Sequence, residues 1–194
     1  MWYSKFYNGL LDHKYVSLGI QYYLLARVGA RFPFNPASGN LYHLAFELLV
    51  KSYLRKKYSD DELQSKFGHN LVKLWGEFKS EIASTKLNKF DLVVKNLDSW
   101  EKVRYVSLKG DKNAQAIEIV AGNAPKEYLE KISNLDFHMH EYFRIYTDDM
   151  DELFNVFFTV LQVPTEELLK VPDFVWGKQL YEQGNKYSLF DHKE

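Results

Sequence analysis

The sequence predicts an all-α helical bundle with a small extended or β-hairpin insertion. Three observations carry this. Apolar residues recur at helical spacing through most of the first hundred residues and again near 149–161. The early breaks between those segments are short, which suits antiparallel neighbours in a bundle. Short β-branched runs are confined to about 101–122 and 140–147.

The elements follow in order. "SLGIQYYLLARVGARF" (17–32) has apolar residues at helical spacing and predicts a helix over about 14–30. "PFNPASGN" then breaks the chain, with Pro33, Pro36 and Gly39 supplying turn chemistry. The next helix, about 38–57, contains "NLYHLAFELLVKSYL". Ser59 with Glu62 three residues on is a capping-box pattern, opening a short helix that Gly68 ends. "HNLVKLWGEFKSEI" (69–82) sets Leu71, Leu74, Trp75 and Phe78 on one helical face, and "LNKFDLVVKNLDSW" (87–100) does the same with Phe90, Val93, Val94 and Leu97.

"EKVRYVSL" and "QAIEIVAG", separated by "KGDKNA", then read as an extended excursion or a small hairpin. Pro125 reopens a helical stretch to about 134, and "HEYFRIYT" (140–147) reads as extended. Thr147 and Asp148 are expected to cap an amphipathic helix, "DMDELFNVFFTVL", whose early acids suit the helix dipole. Pro164 stops it, and "TEELLKV" is one more short helix. The expected organisation is one helical domain over 1–194, with an extended insertion at about 101–122 and a C-terminal helical appendage at about 148–194. No internal repeat, low-complexity run or linker interrupts it.

Composition narrows the class. The chain has 194 residues, 46% apolar and 16% aromatic, with 14 Tyr and 14 Phe. That is a globular composition with a bulky core or an aromatic interface. The absence of Cys excludes disulfides, thiol catalysis and thiolate zinc sites, and suits a reducing cytoplasm. "MWYSKFYNGLLDHKY" lacks a basic-then-apolar signal pattern, and no apolar run is long enough for a membrane span. The net charge of −1 is unevenly spread. Residues 1–97 hold 14 basic against 8 acidic side chains, and residues 98–194 hold 11 against 18. An anionic ligand would favour the first half, or the two halves attract each other within the fold or across a dimer.

The helix over 40–54 poses the functional question. His43, Glu47, Lys51 and Arg55 recur at every fourth residue and share an arc of about 120° on a helical wheel. Most of the remaining circumference is apolar, so the helix must be surrounded on several sides. The charged ridge then either faces solvent or lines a polar groove. Glu47 before Lys51 is the favourable order for an intrahelical ion pair, stabilising by about 0.2–0.5 kcal/mol. Alternatively, His43, Lys51 and Arg55 converge with His69 on a phosphate-bearing ligand, where cations supply charge and imidazole supplies acid–base capacity. Arg104 and Tyr105 form a further anion-contact pair, with a planar fork for phosphate and a stacking face. His69, at a helix start, is also placed to meet an anion.

Other constellations carry less. "HMH" (138–140) is a weak metal pattern, so no metal is expected. "DDMDE" (148–152) reads as a capped first turn rather than an acid cluster for metal, and "LRKKY" (54–58) as a solvated helix end. No phosphate-binding glycine loop, nucleophile elbow or zinc-protease helix occurs, and no cofactor is expected.

"NLYHLAFELLVKSYL", followed about fifteen residues later by "GHNLVKLW", resembles the HEPN superfamily (higher eukaryotes and prokaryotes nucleotide-binding domain). "WEKVRY" and "YFRIYTDDMDELFNVFF" are similar to the later part of bacterial members, so the resemblance spans roughly 17–162. It implies a helical bundle, usually dimeric, often tied to RNA cleavage, nucleotide binding or host defence. Catalytic members carry an Arg followed, after four to six residues, by a His. None of the five Arg here (27, 31, 55, 104 and 144) has a His at that spacing. The expectation is therefore a non-catalytic or divergent member that binds nucleotide or RNA through His43, Glu47, Lys51, His69, Arg104 and Tyr105. It is expected to be cytoplasmic and homodimeric. The alternatives are a protein-interaction scaffold acting by self-association and a divergent metal-independent ribonuclease using His43 and His69.

Overall fold

The computed structural model describes residues 13–30, 35–104, 117–122 and 143–163. These form six α-helices, one 3-10 helix and two short strands. The helices are α1 (His13–Ala30), α2 (Asn35–Leu54), α3 (Asp60–Lys66), α4 (Leu71–Ile82), α5 (Asp91–Arg104) and α6 (Thr147–Val160). The 3-10 helix, Thr85–Phe90, leads into α5, and the strands are β1 (Ile117–Val120) and β2 (Phe143–Tyr146). The architecture is the all-α bundle that the apolar spacing predicts.

α2 is the central helix. It packs against α1, α4, α5, α6 and β1. Tyr42, Ala45, Phe46, Leu49 and Val50 are all fully buried. The broad apolar circumference that demands several neighbours finds them within the chain.

The helix starts earlier than the turn residues imply. Pro36 sits in its first turn, where its missing N–H costs no intrahelical bond. Gly39 is not a turn residue but a point of close approach. A Cβ there would lie 1.9 Å from Cε2 of Trp100 on α5. Gly29 on α1 similarly faces Ser38, with a would-be Cβ at 2.3 Å from Oγ. Small residues thus let α1 and α5 close on α2.

Aromatic rings fill the rest of the core. Tyr23 of α1 stacks on Phe154 of α6 with centroids 4.3 Å apart. Phe157 meets Phe46 edge-on at 5.2 Å and Phe78 at 5.3 Å. Such offset and edge contacts add to simple area burial. Met150, Leu153, Phe154, Phe157 and Phe158 of α6 belong to the same core cluster as residues of α1, α2, α4 and α5.

Local signals set the helix ends. The capping box at α3 forms as its sequence predicts: Ser59 Oγ accepts from Glu62 N–H, and Glu62 Oε2 accepts from Ser59 N–H at 2.9 Å. Gly68 follows at φ +54°, in the left-handed region that glycine enters without penalty. Asn70 then caps α4 by accepting from Lys73 N–H at 2.8 Å. The cap expected from Thr147 and Asp148 is different: Tyr146 holds the cap position without a side-chain capping bond, and both residues are already helical. Thr147 Oγ1 instead accepts from Gly122 N–H at 3.1 Å, and Asp148 N–H donates to Gly122 O at 3.0 Å. These bonds tie the start of α6 to the end of β1.

Residues 105–116 of the expected extended or hairpin insertion fall outside the described residues. Residues 101–104, the start of the expected extended run, continue α5. β1 pairs with β2 in parallel, with Ile117 opposite Phe143 and Val120 opposite Tyr146. A parallel pair cannot close through a tight turn. The helices expected near 125–134 and 165–171 fall outside the described residues.

Candidate functional site

α2 projects His43, Glu47 and Lys51 to one side at four-residue spacing, as its sequence predicts. Their setting differs from a solvent-facing ridge, because all three are buried. Lys51 Nζ donates to Glu47 Oε1 at 2.6 Å. His43 Nδ1 lies 4.0 Å from Glu47 Oε2, close enough for charge interaction but too far for a hydrogen bond. Arg55 leaves the group. It pairs with Asp60 at 3.1 Å, and its guanidinium lies 4.9 Å from the Tyr15 ring centroid.

The fourth member arrives from the turn between α3 and α4. His69 Nδ1 sits 3.0 and 3.1 Å from the two carboxylate oxygens of Glu47. Its side chain is 56% exposed, against 7% for that of Glu47. A carboxylate only accepts, so Nδ1 is the donor and carries hydrogen in this contact. Nε2 is then the ring nitrogen left for another partner. In the neutral ring it bears the lone pair; in the cation it donates.

The charges sum simply. Glu47 and Lys51 cancel, so positive charge at this site comes from protonated imidazole. The helix start offers little more. Leu71 N–H donates to Asp98 Oδ1 at 2.6 Å, and Lys73 N–H is taken by Asn70. An anion at this end of α4 therefore meets the imidazole and not those two amides. Of the residues singled out by sequence, the fold brings together His43, Glu47, Lys51 and His69. Arg104 closes α5, but its side chain, with all of Tyr105 and the histidines at 138 and 140, falls outside the described residues.

Sequence reading missed a second buried cluster. Asp151 on α6 receives Arg27 Nε at 2.7 Å, Arg27 Nη2 at 2.9 Å and Tyr23 Oη at 2.6 Å. All three residues are buried. Burial pushes the Asp151 carboxyl upward, against the opposing pull of the Arg27 charge and of the bonds from Tyr23 and Arg27. The Tyr23 phenol is held well above its ordinary value, first by burial and then by the neighbouring Asp151 charge. For Arg27, burial works to lower the value, but Tyr23 and Asp151 outweigh it and the guanidinium stays charged. The two partners thus report opposite sides of one contact. Desolvation costs the carboxylate, while the bidentate fork and phenol compensate much of that cost. The only sequence hint was Tyr23 and Arg27 at i,i+4 on an otherwise apolar helix face. The acids at 148–152 include an early turn, as expected, but Asp151 is a core residue.

Comparison with protein-family models, curated proteins and solved structures finds no match for this chain. Among the described residues no helix is long and apolar enough to cross a membrane. Fold and site together define a helical-bundle protein in which a buried carboxylate–ammonium pair orients a half-exposed imidazole.

Proposed function

We propose that the chain is a HEPN-like helical protein that binds the phosphate of a nucleotide or RNA, with His69 as the ligand-facing group. The observation that carries this is the exposed His69 ring, whose Nδ1 is engaged by buried Glu47 and whose Nε2 is left for a partner. Lys51 supports the site from beneath by neutralising Glu47, so a protonated His69 adds a net positive charge. The resemblance of residues 40–54 and 68–75 to the superfamily supplies the ligand class. Homodimerisation rests on that resemblance and on the aromatic-rich composition, and the scaffolding alternative on an aromatic surface devoted to self-association.

The second reading is a divergent metal-independent ribonuclease. The Glu47–His69 contact favours it, because a carboxylate-oriented imidazole is suited to accept and return a proton. RNA carries its own nucleophile in the 2′-hydroxyl, so the protein need supply only acid–base groups and positioning.

Calorimetric titration with a short single-stranded RNA and with nucleoside mono- and triphosphates tests binding. Affinity should fall as salt rises, because phosphate contacts release counterions. RNA cleavage in the presence of a chelator, abolished in His69→Ala, would promote the ribonuclease reading. Binding without cleavage supports the first.

A further inference from the structure

His69 is held at its ring by α2, and its backbone belongs to a turn that α5 also grips. The turn is closed locally. Gly68 N–H donates to Leu63 O at 3.2 Å and to Gln64 O at 3.0 Å, and Asn70 N–H donates to Phe67 O at 3.0 Å. Asn70 Oδ1 already caps Lys73 N–H. These bonds shape the turn but do not determine where it lies against the rest of the bundle. One further bond ties its end directly to α5. Leu71 N–H donates to Asp98 Oδ1 at 2.6 Å, across 27 residues of chain. Leu71 itself is fully buried, and its amide is one of the donors that a helix start leaves without an intrahelical partner. It lies two positions on from His69, a reach of at most about 7 Å.

We propose that Asp98 is a positioning residue for His69: held from α5, it fixes the first turn of α4 and thereby keeps the imidazole against Glu47. Two carboxylates on different helices then address the same three-residue stretch, Glu47 at the ring and Asp98 at the backbone. Asn70 satisfies the ordinary need for a local cap, so Asp98 serves placement. The proposal rests on the reading of His69 as the ligand-facing group only for its consequence in binding; the placement itself can be measured without ligand.

The test is nitrogen NMR of the histidine rings in the full chain, with the His69 signal assigned by its loss in His69→Ala. At alkaline pH, where the rings are neutral, the parent should show His69 with hydrogen on Nδ1. Asp98→Ala should lose that preference, so that hydrogen moves mainly to Nε2 as in a solvated ring. Asp98→Asn, whose amide oxygen can still accept from Leu71, should restore it. Asp98→Glu keeps the charge but displaces the acceptor by one methylene, and it should shift the His69 signals even if the alanine variant does not fold. Parent-like His69 signals in Asp98→Ala or Asp98→Glu, with only a lower melting temperature, would overturn the proposal and leave Asp98 a structural cap. Absence of nucleotide or RNA binding by the parent would refute the ligand reading without touching this result.

Discussion

Replacing Asp151 by Asn is the sharpest perturbation of the core. The change keeps the side-chain shape but removes the charge that receives Arg27 at 2.7 and 2.9 Å and Tyr23 at 2.6 Å. Arg27 is 6% exposed and Asp151 1%, so water cannot take over. Removing one partner of a buried ion pair costs about 3–5 kcal/mol. For a chain of this size each kcal/mol moves the melting temperature by about 2–4 °C, so the fall should be about 6–20 °C. The triple change Tyr23→Phe, Arg27→Met, Asp151→Leu removes all three polar groups together, and apolar replacement of a buried ionic set is often neutral or better. It should recover most of the loss. Urea denaturation followed by circular dichroism gives both numbers. Should Asp151→Asn lie within about 1 kcal/mol of the parent, or the triple variant be worse than the single, the argument from desolvation fails.

Three further outcomes follow from the packing. Gly39→Ala should cost about 3 kcal/mol or more, because the rigid Trp100 ring cannot yield to a Cβ at 1.9 Å. Gly76→Ala, with nothing within 4 Å of its Cβ, should be neutral or stabilising by up to about 1 kcal/mol, and equal urea midpoints for the two variants would contradict the α2–α5 approach. Lys51→Met should destabilise by about 3 kcal/mol by removing the ammonium that pairs with buried Glu47, yet weaken phosphate binding far less than loss of His69; the reverse pattern would make Lys51 a ligand contact. The Glu77 carboxyl is held below its ordinary value by bonds from Lys57 and Tyr58. A depressed carboxylate contributes stability above its unfolded value and loses it as pH falls through its folded value, so the difference between parent and Glu77→Gln should be present at neutral pH, shrink below about pH 4 and vanish only once the pH has fallen through the depressed folded value, as read in thermal melts. A difference that grows on acidification would contradict this.

Local chemistry was legible where the signal and its consequence lie within one turn. Ser59 and Glu62 cap α3 because both partners sit three residues apart. His43, Glu47 and Lys51 share a face because helical period alone requires it. What the face meets was not legible, since periodicity specifies direction and not neighbour. The ridge therefore turned out to be buried, with its outermost partner, His69, supplied by another element. Gly39 looks like a turn residue in sequence, and only the Trp100 ring, 61 positions on, shows why glycine stands there. The same limit hid Asp151: its partners are 124 and 128 residues away. It also hid the strand pairing, because adjacency in sequence favours a hairpin while β1 pairs with β2 in parallel.

The central claim is that His69, oriented by Glu47, is the phosphate contact. Titration of short single-stranded RNA and of nucleoside phosphates into the parent and into His69→Ala tests it directly. His69 is more than half exposed, so the variant should melt within about 2 °C of the parent. A charge-assisted bond contributes about 1.5–3 kcal/mol, so affinity should drop about tenfold or more. Equal affinity in the two proteins, or no binding by the parent, would contradict the account.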